Sequence, residues 1–523
     1  MRFFFEKEKR RERFFLSTLS VIFSVFWVAG TYDTLDFSGV LLLFVGVSRL
    51  VLYSIIFYII LSILWNKIMK FNIMDKGERQ KSKKVYWKIF GICLLCWLPY
   101  FLTLYPGVVT WDSKWQVDQA VGISSYSNHQ PWIQTLVIKL CCFLGSLISD
   151  SINTGIAIYT IFQMCALALI YAYMIYYLYQ KGTRKIYLLI CLAFYAIFPI
   201  NAFYAITMWK DVILGALVLL FSVVLWKMEQ NEETKIDWIL FLGSGILISL
   251  LRNNTFYAYI VCIPFIIFFL KKKRIQITLL CAVTILITVV VRGPIMEAYG
   301  VESPDTIESL SIPAQHIARV ITDGGELTEE QEELLEKVIE IDKIPETYSA
   351  WISDPIKTLV REKGNQDYIK EHGKEYLKLW IELGIKYPGT YLKAQIDETK
   401  GFWLPGVEYW TVATENKDNT LGLVRDSKMP PIFEKMLGKI EDFSYAMPVI
   451  EWFWGIGIYT WIAIGMFWIS ICRKQKILAF FPAFAIIASL MIATPVFAEF
   501  RYAYSIVVTT PFFIAIGCSK KTI

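Results

Sequence analysis

Long apolar runs separated by polar or charged breaks dominate the chain and predict helices that cross a membrane. A spanning helix needs about 20 largely apolar residues, because each residue of an α-helix advances the chain by about 1.5 Å. The candidate segments are 14–30, 40–64, 87–104, 132–148, 152–179, 186–207, 211–227, 236–252, 255–270, 275–292, 447–471, 477–495 and 502–518. The pattern therefore predicts an all-α polytopic membrane protein.

The positions of Lys and Arg indicate which candidate segments cross. Basic residues in short loops concentrate on the cytoplasmic side, and here they cluster at 2–13, 67–88, 181–185, 271–274, 473–476 and 520–521. Three candidates lie between the second and third clusters, so one of them should not cross. Segment 132–148 is short and carries Gln134 and Lys139, and Pro131 before it suits the first turn of a helix. We expect this segment to lie at the outer face, which leaves about twelve transmembrane helices and places both termini in the cytoplasm.

Composition supports this topology and divides the chain. Only 19% of residues are charged, against about a quarter in soluble proteins. One segment without long apolar runs holds 17 Lys and Arg against 29 Asp and Glu and contains no Cys, so it is predicted to be an extracytoplasmic insertion without disulfides. The predicted parts are two transmembrane helices with a basic cytoplasmic loop (1–86), a transmembrane core with outer loop 105–151 (87–292), the insertion (293–446) and three C-terminal transmembrane helices (447–523).

The insertion is expected to be mostly helical and to cap the outer opening of the bundle. Thr328 and Gln331 have the spacing of a capping box at the start of a helix over 328–341. Segment 374–387 predicts an amphipathic helix that would suit the membrane interface or the helical core; its stripe contains Leu377, Trp380, Ile381 and Ile385. A structural cap and an acceptor-binding surface both remain open, the latter through sugar stacking on Trp351, Trp380, Trp403 and Trp410.

Ionisable residues recur at the predicted outer ends of helices, where the charge bias of membrane proteins disfavours cations. They come from four loops: Asp112, Lys114, Asp118 and His129; Lys210 and Asp211; Arg252 beside Asn253 and Asn254; and Glu499 and Arg501. Together they could form one pocket that contains a general base and several phosphate-binding cations.

Each of these residues also has a structural explanation. Asp112 could be a solvated loop residue, and His129 could be structural. Lys210 and Asp211 could mark a hydrated helix end, where Asp211 favours the N-terminus. Arg252 could reach outer head groups, and Glu499 with Arg501 could be a local ion pair.

The order of these features resembles the C-type (GT-C) membrane glycosyltransferases. The resemblance rests on YPGVVTWDSKWQ, with Asp112 in the first long outer loop, and on the Pro-led stretch HQPWIQTLVIKLCCFLG after it. It continues in FPINAFYAITMWKDVIL, where an acidic residue opens a span, and in AEFRYAY near the last outer turn. It covers 87–292 best and 477–518 moderately.

The resemblance implies a GT-C-like bundle that transfers a sugar from a polyprenyl-phosphate carrier at the extracytoplasmic face of the cell membrane. It implies Asp112 as the general base, with Asp211 as a second catalytic candidate. The residues then expected to bind substrate are His129, Lys210, Arg252, Asn253, Glu499, Arg501 and Tyr502.

The expected partners are a lipid-linked sugar donor, a cell-envelope glycan or glycopolymer acceptor, and membrane lipids, but no nucleic acid. The family's second acidic residue is missing beside Asp112, so no metal ligand is assigned, although a divalent metal stays open as a cofactor. Two other functions stay open: a transporter or flippase of a lipid-linked glycan, and a ligase or polymerase of surface polysaccharide. A transporter should show paired broken helices or inverted repeats.

Overall fold

The computed structural model describes residues 2–34, 39–74, 79, 82–407, 409–446, 451–493 and 496–519. These residues form helices joined by loops. Isolated β-bridges link some of the loops, and the described residues contain no extended strand. The predicted all-α class is therefore confirmed.

Seven helices among the described residues are long and apolar enough to cross a membrane. They are Glu12–Gly30, Gly39–Lys70, Lys83–Thr103, Ile152–Gln180, Lys210–Gln230, Lys271–Ala298 and Phe500–Cys518. An eighth crossing results if Lys185–Ala196 and Pro199–Ile206, which meet at a bend of 45°, count as one span. The bend follows from Pro199, which begins the second helix and forces the preceding residue out of helical geometry.

Four other predicted spans are shorter helices: Lys235–Leu251, Asn253–Phe269, Gly457–Cys472 and Leu478–Ala493. A helix of 17 residues is about 25 Å long, whereas the hydrocarbon core of a bilayer is about 30 Å thick. Length and composition therefore support a multi-pass membrane protein, and the finer number of twelve crossings stays a prediction.

Two helices form the centre of the bundle and both begin at the same end of it. Lys210–Gln230 and Phe500–Cys518 are almost entirely buried. They can pack closely because Gly215 has no side chain. A Cβ at this position would lie only 2.8 Å from the ring of Tyr504. By contrast, no residue in the apolar window of Gly39–Lys70 is buried, which suits a helix surrounded by lipid.

The segment predicted not to cross forms the helix Trp132–Ser146, which has 15 residues and is about 22 Å long. It packs against the start of Ile152–Gln180, where Gly145 meets the backbone of Gly155. Lys139 donates a 2.6 Å hydrogen bond to the hydroxyl of Tyr126. The placement of this helix at the outer face stays a prediction.

The insertion is built from short helices around a separate apolar core, which includes Ile307, Leu335, Ile356 and Leu383. Its helices are Ser311–Thr322, Glu329–Glu336, Ile344–Thr347, Asp354–Lys363, Gln366–Glu371, Gly373–Lys386 and Pro388–Thr399. The last helix of the insertion, Pro431–Ala446, packs through Leu437 on the core of the bundle instead. The predicted capping box is present. The backbone amide of Gln331 donates to the hydroxyl of Thr328, and the backbone amide of Thr328 donates to the side-chain oxygen of Gln331.

The insertion contacts the loops at the end of the bundle where the two central helices begin. Glu302 exchanges backbone hydrogen bonds of 2.8 Å with Tyr126 and Asn128. The amide of Lys417 donates to the carbonyl of Val109 at 3.0 Å, and the amide of Phe497 donates to that of Trp351 at 3.0 Å. The predicted contact between the insertion and these loops is therefore present.

The amphipathic helix of the insertion excludes one of the two alternatives predicted for its stripe. Leu379 and Leu383 face the core of the insertion, whereas Leu377, Ile381 and Ile385 are exposed. Packing of this stripe on the helical core is therefore wrong, and its docking at the membrane interface stays a prediction. The helix has two apolar sides, and the short helices next to it cover only one.

Candidate functional site

Asp112 lies in the first turn of the helix Trp111–Ala120, which the loop before Lys210 holds in place. The hydroxyl of Ser113 donates to the carbonyl of Met208. The indole of Trp209 donates to the hydroxyl of Thr110 at 2.8 Å. The two loops, about a hundred residues apart in sequence, therefore share one rigid arrangement.

Two ion pairs between loops join the four predicted loops two by two, and a third ion pair lies within the last loop. Arg501 donates to Asp112 at 2.6 Å and to Glu499 at 2.9 Å. Arg252 donates to Asp211, a carboxylate that is only 1% exposed. Charge-assisted hydrogen bonds of this kind are about twice as strong as neutral ones, so they fix the relative positions of the loops.

Tyr502 connects the two ion pairs. The guanidinium of Arg252 lies 3.8 Å from the centre of its ring, and that of Arg501 lies 5.3 Å from it. Arg501 also lies 5.2 Å from the ring of Trp209. Guanidinium groups stack well on aromatic faces. The rings therefore hold the two guanidinium groups in place without adding a further negative charge.

Lys210 and His129 extend the cluster towards the insertion. Lys210 donates to Gln130, and its charge acts on Asp112. His129 remains exposed. Partial desolvation lowers the pKa of His129, while the charges of Glu308 in the insertion and of Asp112 act in the opposite direction. His129 therefore lies within electrostatic range of both Asp112 and Glu308.

The carboxylates of the cluster differ in their affinity for a proton. Burial raises the pKa of Asp112, but the charges of Arg501 and Lys210 lower it more, so that it falls to about 2. Burial raises the pKa of Glu499, and the nearby charges of Asp112 and Asp211 add to this effect, against the opposite effect of Arg501. Asp112 is thus ionised near neutral pH, and Glu499 is the easier of these two groups to protonate.

Helix ends add positive potential to the site. Helices begin at Trp111, Lys210, Asn253 and Tyr504, each within a few residues of a member of the cluster. A helix N-terminus carries a partial positive charge and free amide groups. Together with three cations, these ends form a setting in which an incoming anion can compete with the carboxylates.

The structure thus brings together eight of the nine predicted site residues. These are Asp112, Asp211, His129, Lys210, Arg252, Glu499, Arg501 and Tyr502. Asn253 is exposed at the start of its helix, and no hydrogen bond joins it to the others within the described residues. Glu499 and Arg501 do form the local ion pair considered as an alternative, but Arg501 shares its guanidinium with Asp112.

Other cations at the predicted outer ends of helices have local partners instead. Lys114 pairs with Asp118 at 2.8 Å. Arg292 donates to the carbonyl of Arg252 at 3.1 Å and also to that of Ser249, at the end of a helix. These two cations are therefore structural.

Two residues at the site, Gln130 and Trp209, were missed from the sequence, and a third, Trp410, was predicted only as a possible stacking surface for an acceptor sugar. Gln130 is buried and accepts from Lys210. Trp410 comes from the insertion, and its ring centre lies 5.5 Å from that of Trp209. Nothing in the sequence around Trp410 pointed to this contact, because it depends on how the insertion folds back on the bundle.

The side chains do not fit a metal ion in this arrangement. Within the described part of the chain, no group of three His, Cys, Asp or Glu residues lies close enough to hold one. The three carboxylates of the cluster are each engaged by a guanidinium.

The fold and the site define a class: a helical protein with several helices able to cross a membrane and one cluster of charged residues where its central helices begin. Residues 121–522 match the model of a family of unknown function, DUF6020. The chain therefore belongs to this family. Comparison with curated proteins and with solved structures found no significant match in either.

Proposed function

We propose that the protein is a glycosyltransferase that moves a sugar from a polyprenyl-phosphate carrier to a cell-envelope acceptor at the extracytoplasmic face of the membrane. The observation that carries the proposal is the convergence of Asp112 with Arg501, Arg252 and Lys210 at the start of two central helices. The resemblance of the same loops to the GT-C glycosyltransferases supports it. The twelve crossings and the orientation with both termini in the cytoplasm belong to this proposal.

The cations would stabilise the charge that develops during the proposed reaction. As the bond between sugar and phosphate breaks, negative charge develops on the phosphate that leaves. Fixed cations stabilise this charge best where water is largely excluded. Arg501 and Arg252, both about seven-eighths buried at their side chains, are the groups that would hold the phosphate, with Lys210 beside them.

The pairing of Asp112 with Arg501 implies that the donor binds before Asp112 acts as a base. A carboxylate with a pKa of about 2 accepts a proton poorly, because an efficient base has a pKa near the working pH. A phosphate that binds Arg501 weakens this pairing and adds a negative charge nearby, and both effects raise the pKa of Asp112. Donor binding would thereby prepare Asp112 to accept the proton of the acceptor hydroxyl.

The insertion supplies surfaces next to this site. Trp410 is 45% exposed beside Trp209, and Trp351 is 56% exposed beside Phe497. Exposed aromatic rings present flat apolar faces, which suit the apolar face of a sugar ring. We assign Trp410 and Trp351 to the acceptor; Trp403 is 7% exposed and packs in the core instead.

The test is transfer of a radiolabelled sugar from a polyprenyl-phosphate donor by the purified protein in lipid nanodiscs. Asp112→Asn should keep donor binding but lower the transfer rate by at least ~10²-fold, the typical contribution of a positioned general base. The matched control is Asp118→Asn on the same helix, which removes a carboxylate paired with Lys114. It should keep most of the activity.

Arg501→Ala and Arg252→Ala should weaken binding of the donor itself. Loss of a charged hydrogen bond costs about 1.5–3 kcal/mol, which is roughly a 10- to 100-fold loss of affinity. A folded Asp112→Asn protein that transfers sugar at the unmodified rate would end the assignment of Asp112. If no polyprenyl-phosphate sugar is turned over and the lipid-linked glycan crosses the membrane intact, the protein is a transporter.

A further inference from the structure

The insertion contains a cavity of about 420 Å³ that opens to the surface and is lined largely by residues of the insertion's own apolar core. Its walls come from several short helices and include Ile307, Leu310, Ala314, Leu335, Ile356 and Trp380. Protein interiors normally leave few voids larger than a water molecule. A small helical unit with so large an apolar cavity is therefore built to hold something.

Two polar groups in the wall are already engaged. The hydroxyl of Tyr376 donates to the carbonyl of Leu334 at 2.8 Å. The indole of Trp380 donates to His316 at 3.2 Å. These two groups therefore offer no free donor to an occupant, and the rest of the wall is largely apolar, so the part of the ligand inside must be apolar too.

The volume suits one hydrocarbon chain. An engineered apolar cavity of about 150 Å³ binds benzene, so at the same volume per carbon atom a cavity of about 420 Å³ holds roughly 17 carbon atoms. Single acyl or isoprenyl chains have this size.

The rim of the cavity suits an anionic head group at a lipid surface. Lys370 lines the cavity, and its side chain is 64% exposed. Leu377 lines the cavity and also belongs to the exposed apolar stripe with Ile381 and Ile385. Lys374 and Lys378 lie on that same side of the helix and are exposed. Apolar residues mixed with lysines are typical of helices that lie on anionic lipid.

We propose that this cavity binds one hydrocarbon chain of an anionic amphiphile, with Lys370 beside its head group. The proposal does not depend on the transferase activity. One wall, the turn Thr306–Leu310, also carries Glu308, which pairs with Lys357 at 3.0 Å and whose charge reaches His129. An occupant of the cavity would therefore contact the same turn that carries Glu308.

The test uses the full-length protein in nanodiscs, because detergent would itself fill the cavity. The probe is a photoreactive palmitate analogue, and the labelled peptides are mapped by mass spectrometry. We expect saturable labelling within 306–320 and 366–380. Competition by unlabelled palmitate alone would assign a free fatty acid as the source, whereas competition by lysophosphatidylglycerol would assign a membrane lipid. Both results support the site.

Two substitutions place a ring in the cavity: Ala314→Phe and Gly373→Phe. A Cβ at Gly373 has no heavy atom within 4 Å, so this variant should fold. The matched control is Gly389→Phe, which also has free space for its Cβ and lies in a first helical turn outside the cavity. Each methylene group of the probe that the new ring keeps out of the cavity should lower the affinity for the probe about fourfold. Exclusion of three methylene groups should therefore lower this affinity about 60-fold.

The control should be labelled like the unmodified protein. Absence of labelling in the lining peptides of the unmodified protein would overturn the proposal. Equal labelling of Gly373→Phe and Gly389→Phe, with hydrogen exchange showing both folded, would overturn it as well.

Discussion

Glu398 makes the stability of the insertion depend on pH in a direction that the structure determines. Its side chain is completely buried and accepts from Gln315 at 2.7 Å. Burial raises the pKa of Glu398 from 4.5 to about 8, against smaller opposing effects of Gln315 and Lys357. The folded state therefore binds a proton that the unfolded state releases near neutral pH.

The sign and size of this pH dependence follow from the difference between the pKa values of Glu398 in the folded and unfolded states. The contribution of protonated Glu398 to stability is complete below about pH 4.5 and is lost progressively as the pH rises through about 8. With about 1.4 kcal/mol for each pKa unit, the loss between pH 6 and pH 8 is about 2 kcal/mol. His316, whose pKa burial lowers to about 4, works in the opposite direction, because its stabilising neutral form is disfavoured as the pH falls below about 6.5.

Comparison with Glu398→Gln separates the two groups. The amide has nearly the same shape and cannot ionise, so this variant should lose the Glu398 part of the pH dependence and keep that of His316. The measurement is hydrogen exchange of the helices Ser311–Thr322 and Pro388–Thr399 in the full-length protein, corrected for the intrinsic exchange rate at each pH. The exposed Glu375→Gln is the control. Parallel losses of protection in the unmodified protein and Glu398→Gln would refute the reasoning.

Three further predictions address the site, a helix and the topology. In Arg501→Gln, the pKa of Asp112 should rise, because desolvation remains while the strongest opposing charge is lost; the acid limb of the transfer rate should therefore move to higher pH, and an unchanged limb would contradict this. Thr328→Ala should lower the free energy of unfolding by about 1 kcal/mol through loss of the helix cap, measured by hydrogen exchange of the following helix. A cysteine introduced at Ser149, which is exposed between two helices, should react with an impermeant reagent added outside intact cells, and reaction only after permeabilisation would reverse the proposed orientation.

The sequence by itself determined the features that depend on neighbouring residues. Apolar runs placed most of the helices to within several residues, because helix formation follows local composition and period. The helix predicted over 447–471 is an exception, since it begins only at Gly457. The capping box at Thr328 and Gln331 was found from spacing alone, since both partners lie in one turn. The charged loops were recognised because cations at predicted outer helix ends are unusual.

Only the tertiary structure decided which of these features meet. Arg501 pairs with Asp112 across 389 positions of the chain. This contact depends on the close packing of two central helices at Gly215, which no local pattern reveals. The same holds for Trp410, which reaches the site only because the insertion folds back. A helical period shows that Leu377, Ile381 and Ile385 share a side, but the neighbouring helices determine that this side stays exposed. Local preferences are set by a few residues, whereas packing depends on the shapes of surfaces that are distant in sequence.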